Sequence, residues 1–263
     1  MYINKKSLTK IWLLVGAYLA LGTFSFLISI LFAILEIEGN FHIIAGCFCL
    51  AVAPLTYAIG RYAEGKGKLI NSGNRLIFHQ LRPAEFVRLY NEKRDDPSNV
   101  FSKPDFDVLQ LLVAAYDALG ETERALDAVE QMLTISPEKK LVRAKLLKCG
   151  LLFDIGRSEE ADTIYRDVIS RKLDMMSKYF SDVVMKSDRA LALGDDTTAE
   201  AFYRQALTQK STPLSILYAH YHLAGICYRT NRIEEAEEHR NYCIQKGGET
   251  VIQQKAAKGE IFL

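Results

Sequence analysis

The sequence lacks the short motifs that mark most enzymes and metal proteins. It contains no G-x-S-x-G, P-loop, G-x-G-x-x-G or H-E-x-x-H pattern, which argues against a nucleophile elbow, a phosphate loop, a dinucleotide site and a zincin site. Its five cysteines include no C-x-x-C pair, so neither a zinc ribbon nor a disulfide framework is indicated. His220 and His222 are two residues apart and would point to different faces of a helix. We therefore expect no catalytic residue, no metal and no cofactor.

Net charge is nearly absent as well. The chain has 33 Lys+Arg and 32 Asp+Glu residues, for a formal charge of +1. This balance argues against nucleic-acid binding through a strongly basic domain and against an acidic disordered tail. The charges are unevenly distributed, because Glu36 and Glu38 are the only charged residues between Ile11 and Gly60. The chain is thus expected to consist of two unlike parts.

The first part contains two long apolar runs. Residues 11–35 and residues 41–60 carry no charge, and as helices they would be roughly 37 and 30 Å long, enough to cross a ~30 Å hydrocarbon core. Residues 36–40 would form a short external turn between them. Basic residues flank the pair on both sides and are missing from the turn, which predicts a cell-membrane hairpin of two spans with residues 1–10 and the C-terminus in the cytoplasm. These basic residues are Lys5, Lys6, Lys10, Arg61, Lys66, Lys68 and Arg75.

The second part contains an internal repeat. Ala125, Ala161, Ala199 and Ala236 follow one another at intervals of 36, 38 and 37 residues, each shortly after a turn residue and a polar stretch. A period of this length, built from a helix, a turn and a helix, is typical of an α-solenoid. The turn residues are Gly120, Gly156, Gly194 and Asn231, which favour the left-handed conformation that ends a helix.

With these residues the chain resembles the tetratricopeptide repeat (TPR) family, over residues 106–246. The residues that match the family pattern are Leu112, Tyr116, Gly120, Ala125, Pro137, Gly156, Ala161, Tyr165, Gly194, Ala199, Tyr203, Leu223 and Ala236. The resemblance implies an all-α fold, in which the transmembrane hairpin is followed by a TPR-like α-solenoid of about four helix-turn-helix repeats. Residues 61–105 would form a juxtamembrane linker and a half-repeat cap, and residues 247–263 a capping helix or tail.

The resemblance also implies a concave groove lined by the first helix of each repeat. Carried over by register, its lining would include Leu146, Asp154, Val184 and Asp188, and a partner-binding set composed of Arg143, Tyr218, Tyr221, His222, Tyr228 and Arg229. Aromatic residues and arginine dominate binding hot spots. Packing of Tyr221 and Tyr228 against the C-terminal helix is an equally good interpretation. The Lys/Asn set with which some family members bind a terminal carboxylate is absent, since Asp107, Gln110 and Ala114 occupy those positions.

Together these features predict a non-enzymatic scaffold, anchored in the lipid bilayer, that binds a protein or peptide partner at the cytoplasmic face. One alternative is an accessory or regulatory subunit of a membrane complex. Its hairpin would pack on other spans through small residues, namely Gly16, Ala17, Gly22, Ala45 and Gly46. A second alternative is an enzyme with its site between repeats, which would need convergent titratable groups.

Overall fold

The computed structural model describes residues 64–95, 105–170, 182–209 and 211–260, together with the single positions 16, 23, 52, 60 and 62. The predicted cytoplasmic N-terminus, both predicted membrane spans and the turn between them lie outside these residues, apart from those single positions. No helix within the described ranges is long and apolar enough to span a bilayer. The chain divides into two compact units, Met1–Asn71 and Ser72–Leu263. In the first unit, residues 64–71 are helical.

The described part of the second unit is all-α, as predicted, and contains no strand. It begins with a π-helix, Asn74–His79, and continues with helices that we number in chain order. They are α1 Pro83–Arg94, α2 Phe106–Leu119, α3 Thr122–Ile135, α4 Glu138–Asp154, α5 Ser158–Ser170, α6 Asp182–Ala192, α7 Asp196–Thr208, α8 Pro213–Arg229, α9 Ile233–Lys246 and α10 Val251–Lys258. Four helical hairpins, α2–α3, α4–α5, α6–α7 and α8–α9, follow one another along the chain.

The four hairpin turns share one backbone geometry. Gly120, Gly156, Gly194 and Asn231 have φ values of 76°, 76°, 78° and 59°, so the predicted left-handed conformation is confirmed at each turn. In each case the next residue donates its N–H to a carbonyl five residues earlier, which completes a Schellman cap. The N–H···O distances are 2.8 or 2.9 Å, from Glu121 to Tyr116, Arg157 to Leu152, Asp195 to Ala190 and Arg232 to Cys227.

A buried alanine follows each turn. Ala125, Ala161, Ala199 and Ala236 are each 0% exposed, and each donates its N–H to the carbonyl four residues earlier, at the start of the second helix. A small side chain at this position lets the two helices approach closely, since interaxial distance depends on the side chains at the contact. The sequence repeat therefore corresponds to a repeat in the structure.

The C-terminal end of this unit packs against its N-terminal end. Helix α10 contacts α2, α8 and α9, and α8 contacts the π-helix. Glu249 donates its N–H to the carbonyl of Leu81 at 2.9 Å. Val251 lies so close to Gly120 that a Cβ there would be 2.8 Å from the valine Cγ2. This closure brings α8 opposite α2 and leaves a pocket between them.

Candidate functional site

The pocket lies between α2, α4, α6, α7 and α8 and has a volume of about 190 Å³. Its wall is apolar for the most part, with side chains such as Phe78, Val113, Leu146 and Leu214. Besides Ser215, the polar part of the wall consists of three aspartates, two tyrosines and a histidine. They are Asp117, Asp154, Asp188, Tyr203, Tyr218 and His222.

Two of the three aspartates accept a hydrogen bond from a tyrosine, in one case from a different hairpin and in the other from the second helix of the same hairpin. The Tyr218 hydroxyl donates to Oδ2 of Asp117 at 2.6 Å, although the two residues are 101 positions apart in the chain. The Tyr203 hydroxyl donates to Oδ1 of Asp188 at 2.7 Å. Each tyrosine thus satisfies one oxygen of its carboxyl partner.

The pKa values of all three carboxyls are raised. Burial between the helices raises the pKa of Asp117 and brings that of Asp188 to about 7, with the charge of Asp117 adding to the rise at Asp188. Burial, followed by the negative charges of Asp117 and Asp188, raises the pKa of Asp154 well above its ordinary value, while Lys255 lowers it. Asp154 is an exposed residue, so we expect solvent to reduce the rise in its pKa.

The remaining polar groups of the pocket are neutral at pH 7. Burial, with help from Arg229 and Lys255, lowers the pKa of His222 to about 4. Its ring stacks on Tyr203 with centroids 4.9 Å apart and an interplanar angle of 13°. Burial also raises the pKa values of Tyr203 and Tyr218 well above 10, so both stay protonated. Any negative charge of the pocket wall therefore comes from the three aspartates, whose raised pKa values favour their protonated forms, and Lys255 of α10 is a cation near enough to act on them.

Several groove positions carried over by register do line this pocket. They are Leu146, Asp154, Asp188, Tyr218 and His222. Two of these, Tyr218 and His222, belong to the predicted partner-binding set.

The other four members of the predicted set lie outside the lining. Tyr221 meets the edge of the His222 ring at 5.4 Å. Arg229 makes a bidentate ion pair with Asp196 at 2.6 and 3.0 Å, and Tyr228 donates a hydrogen bond to Glu237 of α9. Arg143 is on α4. Binding by these residues stays a prediction. The side chain of Val184 is not described.

Sequence reasoning missed Asp117, for which a local signal existed. Asp117 and Asp154 both lie in the last turn of a helix, where the macrodipole disfavours a carboxylate by about 0.3–1 kcal/mol. In two consecutive repeats, the first helix (α2, then α4) thus carries an unfavourable aspartate in its last turn. This repetition indicates that the two aspartates have a role other than helix stability. Tyr203 is predicted only as a residue of the repeat pattern, yet its hydroxyl also donates a hydrogen bond to Asp188.

His220 and His222 point in different directions, as predicted. His222 faces the pocket, whereas His220 stacks on Tyr242 with centroids 3.8 Å apart and lies against His239 of α9. The pocket thus offers three carboxylates and one imidazole. This arrangement suits a positively charged organic group better than a transition metal, which favours nitrogen and sulfur ligands.

Comparisons with known proteins do not assign a family or a function to the chain. No family model matches the chain, and no curated protein and no solved structure is significantly similar to it.

Proposed function

We propose that this protein is a membrane-anchored, TPR-like scaffold without enzymatic activity, and that its pocket binds a lysine or arginine side chain of a partner protein or peptide. The observation that carries the proposal is the convergence of Asp117, Asp154 and Asp188 in one pocket of a helical-repeat unit. The four hairpins with matching caps and buried alanines support the family resemblance. The two uncharged runs before residue 61 support the anchor.

The electrostatics of the pocket favour a cation over other ligands. Three carboxyls brought close together repel one another when ionised, and a positive group among them relieves this repulsion. Two of them are already oriented by Tyr203 and Tyr218, so little side-chain conformational entropy is lost when a ligand binds. The apolar wall suits the methylene stem of a long basic side chain, which packs on apolar surface while its charged end meets the acids.

The size of the pocket favours a side chain over a cofactor. Pockets for small molecules commonly have volumes of about 300–1,000 Å³, whereas this one has about 190 Å³. It therefore suits one inserted side chain, with the rest of the partner outside. Insertion of a single charged anchor into a pocket is a common form of binding hot spot.

The proposal predicts that binding becomes tighter as pH rises. Because the pKa of Asp188 is about 7, this group is partly protonated near neutral pH, and a bound cation favours its ionised form. Binding should therefore release protons, and affinity should increase between pH 5.5 and pH 8. A partner held by apolar contacts alone would show no such dependence.

The test uses fluorescent peptide pools with random flanks and a fixed central residue, which is Arg, Lys, Ala or Glu. Binding to the purified full-length chain in detergent is measured by fluorescence anisotropy at pH 5.5 and pH 8. We expect the Arg and Lys pools to bind at least 10-fold more tightly than the Ala and Glu pools. The double variant Asp154→Asn/Asp188→Asn should remove this preference. Asp127→Asn, which changes an exposed aspartate of α3, is the matched control and should bind like the wild type.

Equal binding of all four pools, or a preference for the Glu pool, would refute recognition of a basic side chain. The membrane part of the proposal has its own test, since protease added outside intact cells should leave the repeat unit uncut. Digestion of that unit from outside would overturn the cytoplasmic orientation without affecting the pocket result.

A further inference from the structure

A second cluster of chemically reactive side chains lies between α8 and α9. Cys227 comes from α8, whereas Glu235 and His239 are four residues apart on α9 and so share one face of that helix. One ligand atom from each of the three side chains lies within 4.8 Å of the other two. None of these residues lines the acidic pocket. The cluster is therefore separate from the proposed partner site.

The imidazole of His239 is held in an unusual way. Its Nδ1 lies 2.8 Å from Nδ1 of His220, so one of these nitrogens donates to the other. Its Nε2 is buried and has no hydrogen-bond partner among the described residues, and Oε1 of Glu235 lies 3.9 Å away. A buried polar atom without a partner costs about 1–3 kcal/mol. This atom faces the carboxylate of Glu235, and an ion bound between the two groups would satisfy it.

We propose that Cys227, Glu235 and His239 bind a Zn²⁺ ion through Sγ, a carboxylate oxygen and Nε2, with water as the fourth ligand. Thiolate, imidazole and carboxylate are the ligand types that zinc uses in proteins. A histidine that binds a metal usually engages its other ring nitrogen in a hydrogen bond that orients the ring. The contact between His239 and His220 supplies this orientation and leaves Nε2 for the metal.

The distances require a modest contraction. Zinc bond lengths of about 2.0–2.3 Å place tetrahedral ligand atoms roughly 3.3–3.6 Å apart, compared with the limit of 4.8 Å in this cluster. Changes in the side-chain torsions of Glu235 and His239 would close this gap, because both residues lie on one helix. Cys227 is fully buried and moves least.

The neighbouring charges define how the site would bind metal. Arg204 and Arg232 both contact Glu235, and both also contact Glu200, at 2.8 and 2.6 Å. When zinc takes an oxygen of Glu235, each arginine thus retains Glu200 as a partner. Binding exchanges one Zn²⁺ for the thiol proton of Cys227, so the charge of the cluster rises by one.

The test is a metal titration of the purified full-length chain, freed of metal and kept under reducing conditions in detergent. Co²⁺ is added first, because a cobalt–thiolate bond gives a charge-transfer absorption band, and Zn²⁺ is then added to displace it. We expect one equivalent of Co²⁺ per chain with this band, displacement by Zn²⁺, and release of about one proton per metal. Cys227→Ala should abolish the thiolate band. His239→Gln should weaken binding at least about 100-fold.

Two further variants keep the result interpretable. Glu235→Gln retains the size of the side chain and should weaken the metal while the fold persists, as judged by circular dichroism. Cys243→Ala removes another buried free cysteine and should bind Co²⁺ like the wild type. The proposal is overturned by the absence of saturable Co²⁺ binding, by binding without the thiolate band, or by equal losses in Cys227→Ala and Cys243→Ala. Failure of this test would leave peptide binding in the acidic pocket unaffected.

Discussion

Replacement of Asp188 by asparagine tests whether the acidic pocket is maintained at the expense of stability. Asparagine has the same shape as aspartate, and its side-chain oxygen can accept the hydrogen bond that the Tyr203 hydroxyl now donates at 2.7 Å. The substitution therefore removes the charge and leaves the packing in place. If the pocket is electrostatically strained, the variant should be more stable than the wild type when Asp188 is ionised.

The direction of the pH effect follows from the raised pKa of Asp188. This pKa is about 7 in the folded protein, compared with an ordinary value of 3.8, so the folded state holds its proton more tightly than the unfolded state. The free energy of unfolding should be highest below pH 4 with respect to this group. It should fall as pH rises to about 7 and stay constant above that pH.

The magnitude can be bounded in the same way. Each pKa unit corresponds to about 1.4 kcal/mol, so the full rise is at most about 4 kcal/mol. Asp188 is only partly buried and lines a pocket that admits water, and screening by solvent reduces this figure to about 2 kcal/mol. Asp188→Asn should therefore gain about 2 kcal/mol at pH 8 and little at pH 4.

Urea unfolding of the full-length chain, followed by far-ultraviolet circular dichroism at pH 4, 6 and 8, measures this effect. Asp127→Asn is the control, because it removes an exposed carboxylate of α3 and should change stability by less than about 0.5 kcal/mol. An Asp188→Asn variant that is no more stable than the wild type at pH 8 would refute the argument. So would a pH dependence equal to that of the wild type.

Three other predictions concern different parts of the repeat unit. Gly156→Ala should lower the free energy of unfolding by about 1–2 kcal/mol, measured by thermal unfolding, because its φ is +76° while the space around the Cβ position is open. Gly120→Ala should lower it more, since its Cβ would also collide with Val251 of α10. Equal losses would contradict the packing of α10. Arg232 lowers the pKa of Glu200 to about 2, so Glu200→Gln should remove stability that the wild type has above pH 4.5 and loses toward pH 2. If urea unfolding shows the same loss of stability between pH 4.5 and pH 2 in the variant and the wild type, the result would argue against this ion pair. Lys255→Gln should tighten binding of the Arg peptide pool a few-fold, since it removes a competing cation; unchanged anisotropy titrations would show that Lys255 does not act on the pocket.

The turns and the helix pairing could be predicted because their causes are local. A left-handed residue at a fixed position, followed by polar residues and a small apolar residue, determines where one helix ends and how closely the next one packs. The left-handed conformation predicted for Gly120, Gly156, Gly194 and Asn231 is confirmed by the positive φ of all four residues. The register also identified Leu146, Asp154, Asp188, Tyr218 and His222 as groove residues, and all five line the pocket.

The acidic character of the site was harder to predict because the groups that define it come from different repeats. Asp117 matches no pattern residue of its own repeat, and its partner Tyr218 is supplied by a hairpin 101 residues later. Likewise, Cys227 and His239 are unremarkable in the sequence, since buried cysteines and single histidines are common in helical cores. Only the packing of α8 on α9 brings their ligand atoms within 4.8 Å.

By itself, the sequence determined the all-α class, the four repeat turns and the division into an apolar and a charge-balanced part, because all three depend on residues that are near one another in the chain. The tertiary structure decided that α10 packs on α2 and that Tyr218 of α8 reaches Asp117 of α2. This closure depends on how each hairpin stacks on the next, accumulated over four repeats, and a local pattern does not encode that sum. It converts an open row of first helices into a pocket with three carboxyls, and the proposed function rests on that pocket.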